Sequence, residues 1–159
     1  MVVIRLHDAW ARFCREVVIL SASGTLTLGG TALLSVAGIA NRSMVIPVLL
    51  SRYKKRKYKP KWASASECID AAQRLSISNL ATVSAALGAI NSPAENIRRV
   101  RNFYAHRANE TAQEAATTGL FSNPRHPNVF ELGLYKAGGG TVLESWVSDL
   151  TDIAAAAIQ

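Results

Sequence analysis

The sequence predicts an all-α protein, a bundle of four or five helices with a long irregular or β-containing insertion after the first helix. Three observations lead there. Apolar residues recur at spacings of three and four near both ends of the chain. Three helix-start signals, at Ser64, Ser92 and Thr141, punctuate the chain after the basic run. And 159 residues, 49% of them hydrophobic, suffice for one domain with its own core. The chain is therefore read as a single unit, 1–159, with the insertion at about 24–62.

The first helix is expected from Val3 to about Ala22, with Leu6, Trp10, Phe13, Val17 and Leu20 as its apolar stripe and Gly24 as its stop. Residues 24–50 are rich in Gly, Thr, Val and Ile. They read as a short hairpin turning at Gly29-Gly30, then an irregular or helical piece ending near Leu50, with Pro47 breaking any regular element. Residues 52–61 read as a loop closed by Pro60. Ser64-x-x-Glu67 has the form of a capping box and opens a helix from Ala65 to about Leu75; Ser78 caps a second piece to about Ile90. Ser92-Pro93-Ala94-Glu95 starts a helix running from Pro93 to about Ala116, packed through Ile97, Val100, Tyr104 and Ala108. "GLFSNPRHPN" is loop, "VFELGLY" a short strand or extended link, and "GGG" at 138–140 a hinge. Thr141-x-x-Glu144 opens the last helix, to about Ala157, with Leu143, Trp146, Val147, Leu150 and Ile153 as its apolar face.

The longest apolar run, Leu26 to Ala40, is too short and too interrupted by glycine to span a bilayer. No membrane association is expected, and a cytoplasmic protein is. Cys14 and Cys68 form no framework and no metal pattern, and read as two buried thiols in a reducing compartment. The histidines lack metal-ligand spacing with the acids, so neither a metal nor a cofactor is expected.

The net charge of +7 has one source. Seven of the eighteen Lys and Arg lie in "RYKKRKYKPK", residues 52–61, which has no acid, and the remaining eleven match eleven acids. Arg52, Lys54, Lys55, Arg56, Lys57, Lys59 and Lys61 thus form a local cationic device suited to a polyanion, RNA first. Tyr53, Tyr58 and Trp62 interleave with them as candidates for base stacking. A plainly solvated loop is the competing reading. Arg98 and Arg107 are further candidates for RNA contact, flanking Arg101–His106, with Arg99 adding positive field there, unless Arg99 and Arg107 simply pair with Glu95 and Glu110.

The stretch "RNFYAHR", Arg101 to Arg107, places an arginine, an asparagine and a histidine inside a helix, with Arg101 and His106 expected off the packing stripe. Asn102 and His106, four apart, share a face, and the long Arg101 side chain reaches around to them. Histidine exchanges a proton near neutral pH. Arginine holds a phosphate and stabilises charge growing on its oxygens. Asparagine orients. With RNA, a base that activates the 2′-hydroxyl is sufficient for strand cleavage without metal. The spacing alone is common by chance; the asparagine directly after the arginine makes it more specific.

"RNFYAHR" resembles the Arg-polar-x3-His signature of the HEPN superfamily. Residues 63–116 resemble the two central helices of bacterial HEPN proteins of the RiboL-PSP-HEPN group. The resemblance implies a four-to-five-helix bundle that dimerises, so that two motifs form one composite, metal-independent RNase site. In it Arg101 binds the scissile phosphate, Asn102 orients, and His106 is general base or acid. It further implies a toxin–antitoxin or anti-phage setting, with an antitoxin or defence-system partner protein. In family toxins controlled by nucleotidyltransferases, a tyrosine follows two residues after the histidine. Here that position is Ala108, and Tyr104 lies inside the motif.

The expected function is an endoribonuclease acting as a homodimer on RNA and leaving 2′,3′-cyclic phosphate and 5′-hydroxyl ends. The alternative is a non-catalytic HEPN-like RNA-binding or adaptor subunit of a defence complex. A DNA-binding regulator is a weaker third reading, because no recognition helix is evident.

Overall fold

The spine of the molecule is α1 (Val2–Ala22), a 21-residue helix with α2, α3, α5 and α7 packed around it. In the computed structural model, residues 2–28, 31–53, 60–90, 92–123, 128–133 and 139–159 are described. Among them the chain is predominantly helical. After α1 come the two-residue strands β1 (Thr27–Leu28) and β2 (Thr31–Ala32), then α2 (Arg42–Ser51), α3 (Ala65–Leu75), α4 (Leu80–Leu87), α5 (Ala94–His106), α6 (Asn109–Ala116), a 3-10 turn (Val129–Gly133) and α7 (Val142–Ala157). Seven α-helices among the described residues exceed the expected four or five. None is long and apolar enough to cross a membrane.

The buried face of α1 is Val3, Trp10, Cys14, Val17 and Val18, with Leu6 and Phe13 packed on its flank. The stripe is rotated from the expected one because a helix enclosed by four neighbours buries a broad arc. Gly24 does end the helix. It takes φ +69°, its N–H reaches Ser21 O at 3.3 Å, and the Thr25 N–H reaches Leu20 O at 3.0 Å. This is a Schellman closure that satisfies the last carbonyls.

The antiparallel pair Thr27↔Ala32 and Leu28↔Thr31 bears out the short hairpin, while its turn at Gly29-Gly30 lies outside the described residues. Pro47 does not break α2 but sits inside it. Its missing N–H would have bonded the Ser43 carbonyl, and both residues are exposed, so water can reach the freed acceptor. Buried Val45 and Leu49 hold the helix to the core.

Buried Cys68, Ala71, Ala72 and Leu75 repeat at i, i+3, i+4 and i+7 and seat α3 against α1 and α4. Ser64 occupies the N-cap position without making the cap bond, and Glu67 instead accepts from the Lys61 N–H at 2.7 Å. The expected capping box is absent there. Asn79, not Ser78, precedes α4, which ends earlier than expected, at Leu87. At the start of α5 the Ser92 hydroxyl accepts only a 3.4 Å bond from Ala94, and Pro93 is the capping residue. Thr141 and Glu144 do form the reciprocal box: Thr141 N–H to Glu144 Oε2 at 2.7 Å, and Glu144 N–H to Thr141 Oγ1 at 3.1 Å. Those bonds hold the Glu144 carboxyl below the usual carboxylate range. The core face of α7 is Val142, Trp146, Leu150, Ile153 and Ala157, with Leu143 on its edge and Val147 on the outside. The "VFELGLY" segment contributes the 3-10 turn in place of a strand.

Cys14 and Cys68 are both fully buried and free. The neighbouring Cys68 thiol and burial together raise the Cys14 thiol far above its ordinary range.

Candidate functional site

The expected single helix from Pro93 to Ala116 is two helices. Between Tyr104 and Ala115 the sequence has no apolar residue larger than alanine, so that stretch carries no large side chain to hold one straight helix against the core. α5 ends at His106; Arg107 turns into the left-handed region at φ +47° and its N–H closes on Phe103 O at 2.8 Å. Ala108 is extended and exposed rather than packed, and its N–H donates to Thr111 Oγ1 at 3.2 Å, which starts α6. α6 then folds back along α5, and Arg99 Nη1 reaches Thr117 Oγ1 at 2.7 Å across the pair. The "RNFYAHR" stretch therefore runs to the tip of a helical hairpin, with residues 105–110 all exposed there.

Arg101 and His106 occupy opposite settings. Arg101 lies one turn beyond buried Ile97 and one turn before half-buried Tyr104, on the inner flank of α5, not off it as expected. Among the described residues its Nε is buried without a partner, and Nη1 makes one long bond, 3.3 Å, to Asn102 Oδ1. His106 is exposed, about 140° around the helix from Arg101. It shares the outer face with Asn102 and is the last helical residue of α5. Thus Arg101 and Asn102 are joined, Asn102 and His106 are aligned, and no hydrogen bond among the described residues links His106 to either.

Glu95 divides the remaining positive charge of α5. Arg98 grips it with Nε at 2.8 Å and Nη2 at 2.6 Å, and Arg99 adds Nε at 3.1 Å. Arg98, then burial against it, then Arg99 set the Glu95 carboxyl, whose net shift is below its ordinary value. These two arginines line a groove with Glu110, Gln113, Glu114 and Thr117 and are largely committed to the fold. Arg107 is exposed and has no ion pair among the described residues, so the expected pairing with Glu110 is absent.

Of the basic run, Arg52, Tyr53, Pro60 and Lys61 are described, while Lys54, Lys55, Arg56, Lys57, Tyr58 and Lys59 lie outside the described residues, as does His126. Tyr53 is 8% exposed beneath the Arg74 guanidinium, which lies 4.5 Å from its ring centroid, so it is not a free stacking surface. Trp62 is likewise packed against the core. Arg52 donates through Nη1 to Arg74 O, and Arg74 Nε bonds Asp70 Oδ2 at 2.7 Å. That pair holds the Asp70 carboxyl below its ordinary value. The Asp70–Arg74 spacing of four on α3 was the one legible trace of this cluster. His7 and Asp8 are in contact, Nδ1 to Oδ1 at 3.2 Å, on the first helix.

Comparison with models of known protein families, with characterised proteins and with solved structures finds no match.

Proposed function

We propose that the chain is a HEPN-type, metal-independent endoribonuclease whose active site is completed by a second copy. The observation that carries this reading is the tip of the α5–α6 hairpin. An exposed His106 shares a face with Asn102, and Asn102 holds an arginine whose buried Nε has no partner among the described residues. Burying such a donor costs stability unless something compensates, and such costs gather at functional sites. Arg107, held left-handed beside His106, adds backbone strain at the same place.

In the proposed reaction, unprotonated His106 takes the proton of an RNA 2′-hydroxyl. The 2′-oxygen attacks the adjacent phosphorus, and the bond to the 5′-oxygen breaks. Protonated His106 of the second copy gives that oxygen its proton. The products are a 2′,3′-cyclic phosphate and a 5′-hydroxyl. Arg101 pairs with the phosphate oxygens as charge grows on them, and Asn102 keeps its guanidinium in place. The second copy answers a geometric need: within one protomer Arg101 and His106 are turned apart. A toxin or anti-phage role, with a partner protein that restrains it, belongs to the same reading. The same separation of Arg101 from His106 favours the adaptor reading if no second copy closes the site.

The test is cleavage of labelled total RNA and tRNA by purified protein in excess EDTA, beside His106→Ala and Arg101→Ala. Wild-type cleavage absent from both variants supports the enzyme. RNA binding without cleavage in all three supports the adaptor, and equal cleavage by all three removes the motif from the chemistry.

A further inference from the structure

The four helices packed around α1 leave one side of it bare, and the charges on that side alternate in sign. Arg5, Asp8, Arg12 and Glu16 line one groove together with Ala9 and Phe13. Arg5, Asp8, Ala9 and Arg12 are exposed, while Phe13 and Glu16 are half-buried. From Arg5 to Glu16 the face runs about 16 Å along the helix axis. Its acids are held within the chain, Asp8 by His7 at 3.2 Å, and Glu16 by Arg15 at 3.0 Å and by Arg42. Its arginines are not. Among the described residues neither Arg5 nor Arg12 makes an ion pair, although Arg12 has an acid one turn away on each side. A carboxylate accepts up to about four hydrogen bonds, so Asp8 and Glu16 both keep room for a further guanidinium.

We infer that this face of α1 pairs with the same face of a second copy, antiparallel, about a two-fold axis between Ala9 and Arg12. The order plus, minus, plus, minus is its own complement when read backwards. Setting Arg5 opposite Glu16 of the second copy sets Ala9 opposite Arg12 and Asp8 opposite Phe13. The Arg12 stem then lies over small Ala9, and its guanidinium reaches Asp8 beside it. By symmetry each contact is made twice. Parallel pairing in register would set like charge on like. The four charges sum to zero, so the face offers little to a polyanion, and they are too many for a bilayer. A single helix face is at the small end of specific interfaces, so the pair forms and parts with concentration. The inference does not rest on the ribonuclease reading. It concerns which face meets a second copy, not what the pair does.

The experiment is sedimentation velocity of the purified full chain, without RNA, from about 5 to 500 µM protein at about 50 and 500 mM NaCl. Wild type should form dimers as concentration rises, and less readily at the higher salt. Asp8→Arg alone and Arg12→Asp alone each bring like charges together at two symmetry-related places, and each should weaken association about tenfold or more. The double variant Asp8→Arg/Arg12→Asp restores opposite signs and should associate within about threefold of wild type. Asp152→Arg makes the same change of charge on the exposed side of α7 and should leave association unchanged. All three positions are exposed, and circular dichroism verifies that each variant is folded. A wild type that stays monomeric throughout overturns the inference, as does a dimer indifferent to both single reversals. So does a folded double variant that fails to recover, or an equal loss in Asp152→Arg. A dimer with the expected charge dependence that cuts no RNA supports this inference and counts against the enzymatic one.

Discussion

Replacing Arg101 by methionine should stabilise the fold while abolishing RNA cleavage. Arg101 lies on the inner flank of α5; among the described residues its Nε is buried and unpartnered and Nη1 makes a single 3.3 Å bond to Asn102. Leaving a buried donor unsatisfied costs about 1–3 kcal/mol. A long bond to a neutral amide returns about 0.5–1 kcal/mol. Methionine follows much the same path, keeps the packing of the stem beside Ile97 and Tyr104, and has no donor to satisfy. The net expectation is a gain of about 1 kcal/mol. At roughly 2.1 cal/mol/K per residue, unfolding a chain of this length has an entropy near 330 cal/mol/K, so the midpoint should rise by about 3 °C. Urea and thermal unfolding followed by circular dichroism read the change, and the cleavage assay reads the loss. A variant less stable than wild type by 1 kcal/mol or more would show that the guanidinium is satisfied in the native protein and refute the reasoning. Arg101→Ala is a poorer probe, since it also leaves a cavity.

Thr141→Ala removes one half of the reciprocal box at the start of α7 and should cost about 1 kcal/mol in urea unfolding. Gly24→Ala should cost more than about 1 kcal/mol. It imposes a side chain at φ +69°, and the added carbon would sit 2.8 Å from both Leu33 O and Ser35 N. Arg107→Gly relieves a left-handed conformation and should stabilise by about 0.5–1 kcal/mol, seen as a later urea midpoint. Acid should weaken the protein through Asp70 and Glu95. Their carboxyls are lowered in the fold, chiefly by Arg74 and Arg98 respectively, so the unfolded chain binds protons first. Their contribution is complete above the ordinary carboxylate range, near pH 4.5, and is lost as pH falls through the lowered values. Urea midpoints between pH 3 and 7 should show that loss, and Glu95→Gln should reduce it.

The helical class, the extents of α1, α3 and α7, and the stop at Gly24 were legible because each follows from local chemistry. Apolar spacing marks a buried face, and Thr141 and Glu144 can satisfy one another without outside help. What was not legible depended on neighbours. The α1 stripe turned toward Cys14 and Val18 because four helices surround it, which no single-helix periodicity reports. Glu67 left its capping role for the Lys61 backbone, a partner six residues away. Pro47 stayed helical because its freed acceptor faces water and Val45 and Leu49, two residues to either side, are buried. The break after His106 came without glycine or proline. Its only trace was the lack of large apolar residues after Tyr104. That break also decides the candidate site. "RNFYAHR" was visible as a motif. That it ends at a hairpin tip, with Arg101 turned inward and His106 outward, required the structure.

The measurement closest to the central claim uses one oligonucleotide in two forms, all-ribose and with 2′-deoxyribose throughout, incubated with the protein in EDTA, with end groups read by mass spectrometry. If His106 works by activating a 2′-hydroxyl beside Arg101, the ribose form is cut to 2′,3′-cyclic phosphate and 5′-hydroxyl ends and the deoxy form stays whole. Cleavage of the deoxy form, or 3′-hydroxyl and 5′-phosphate ends on the ribose form, would mean that water, not the 2′-oxygen, attacks, and would contradict the role given to the α5–α6 tip.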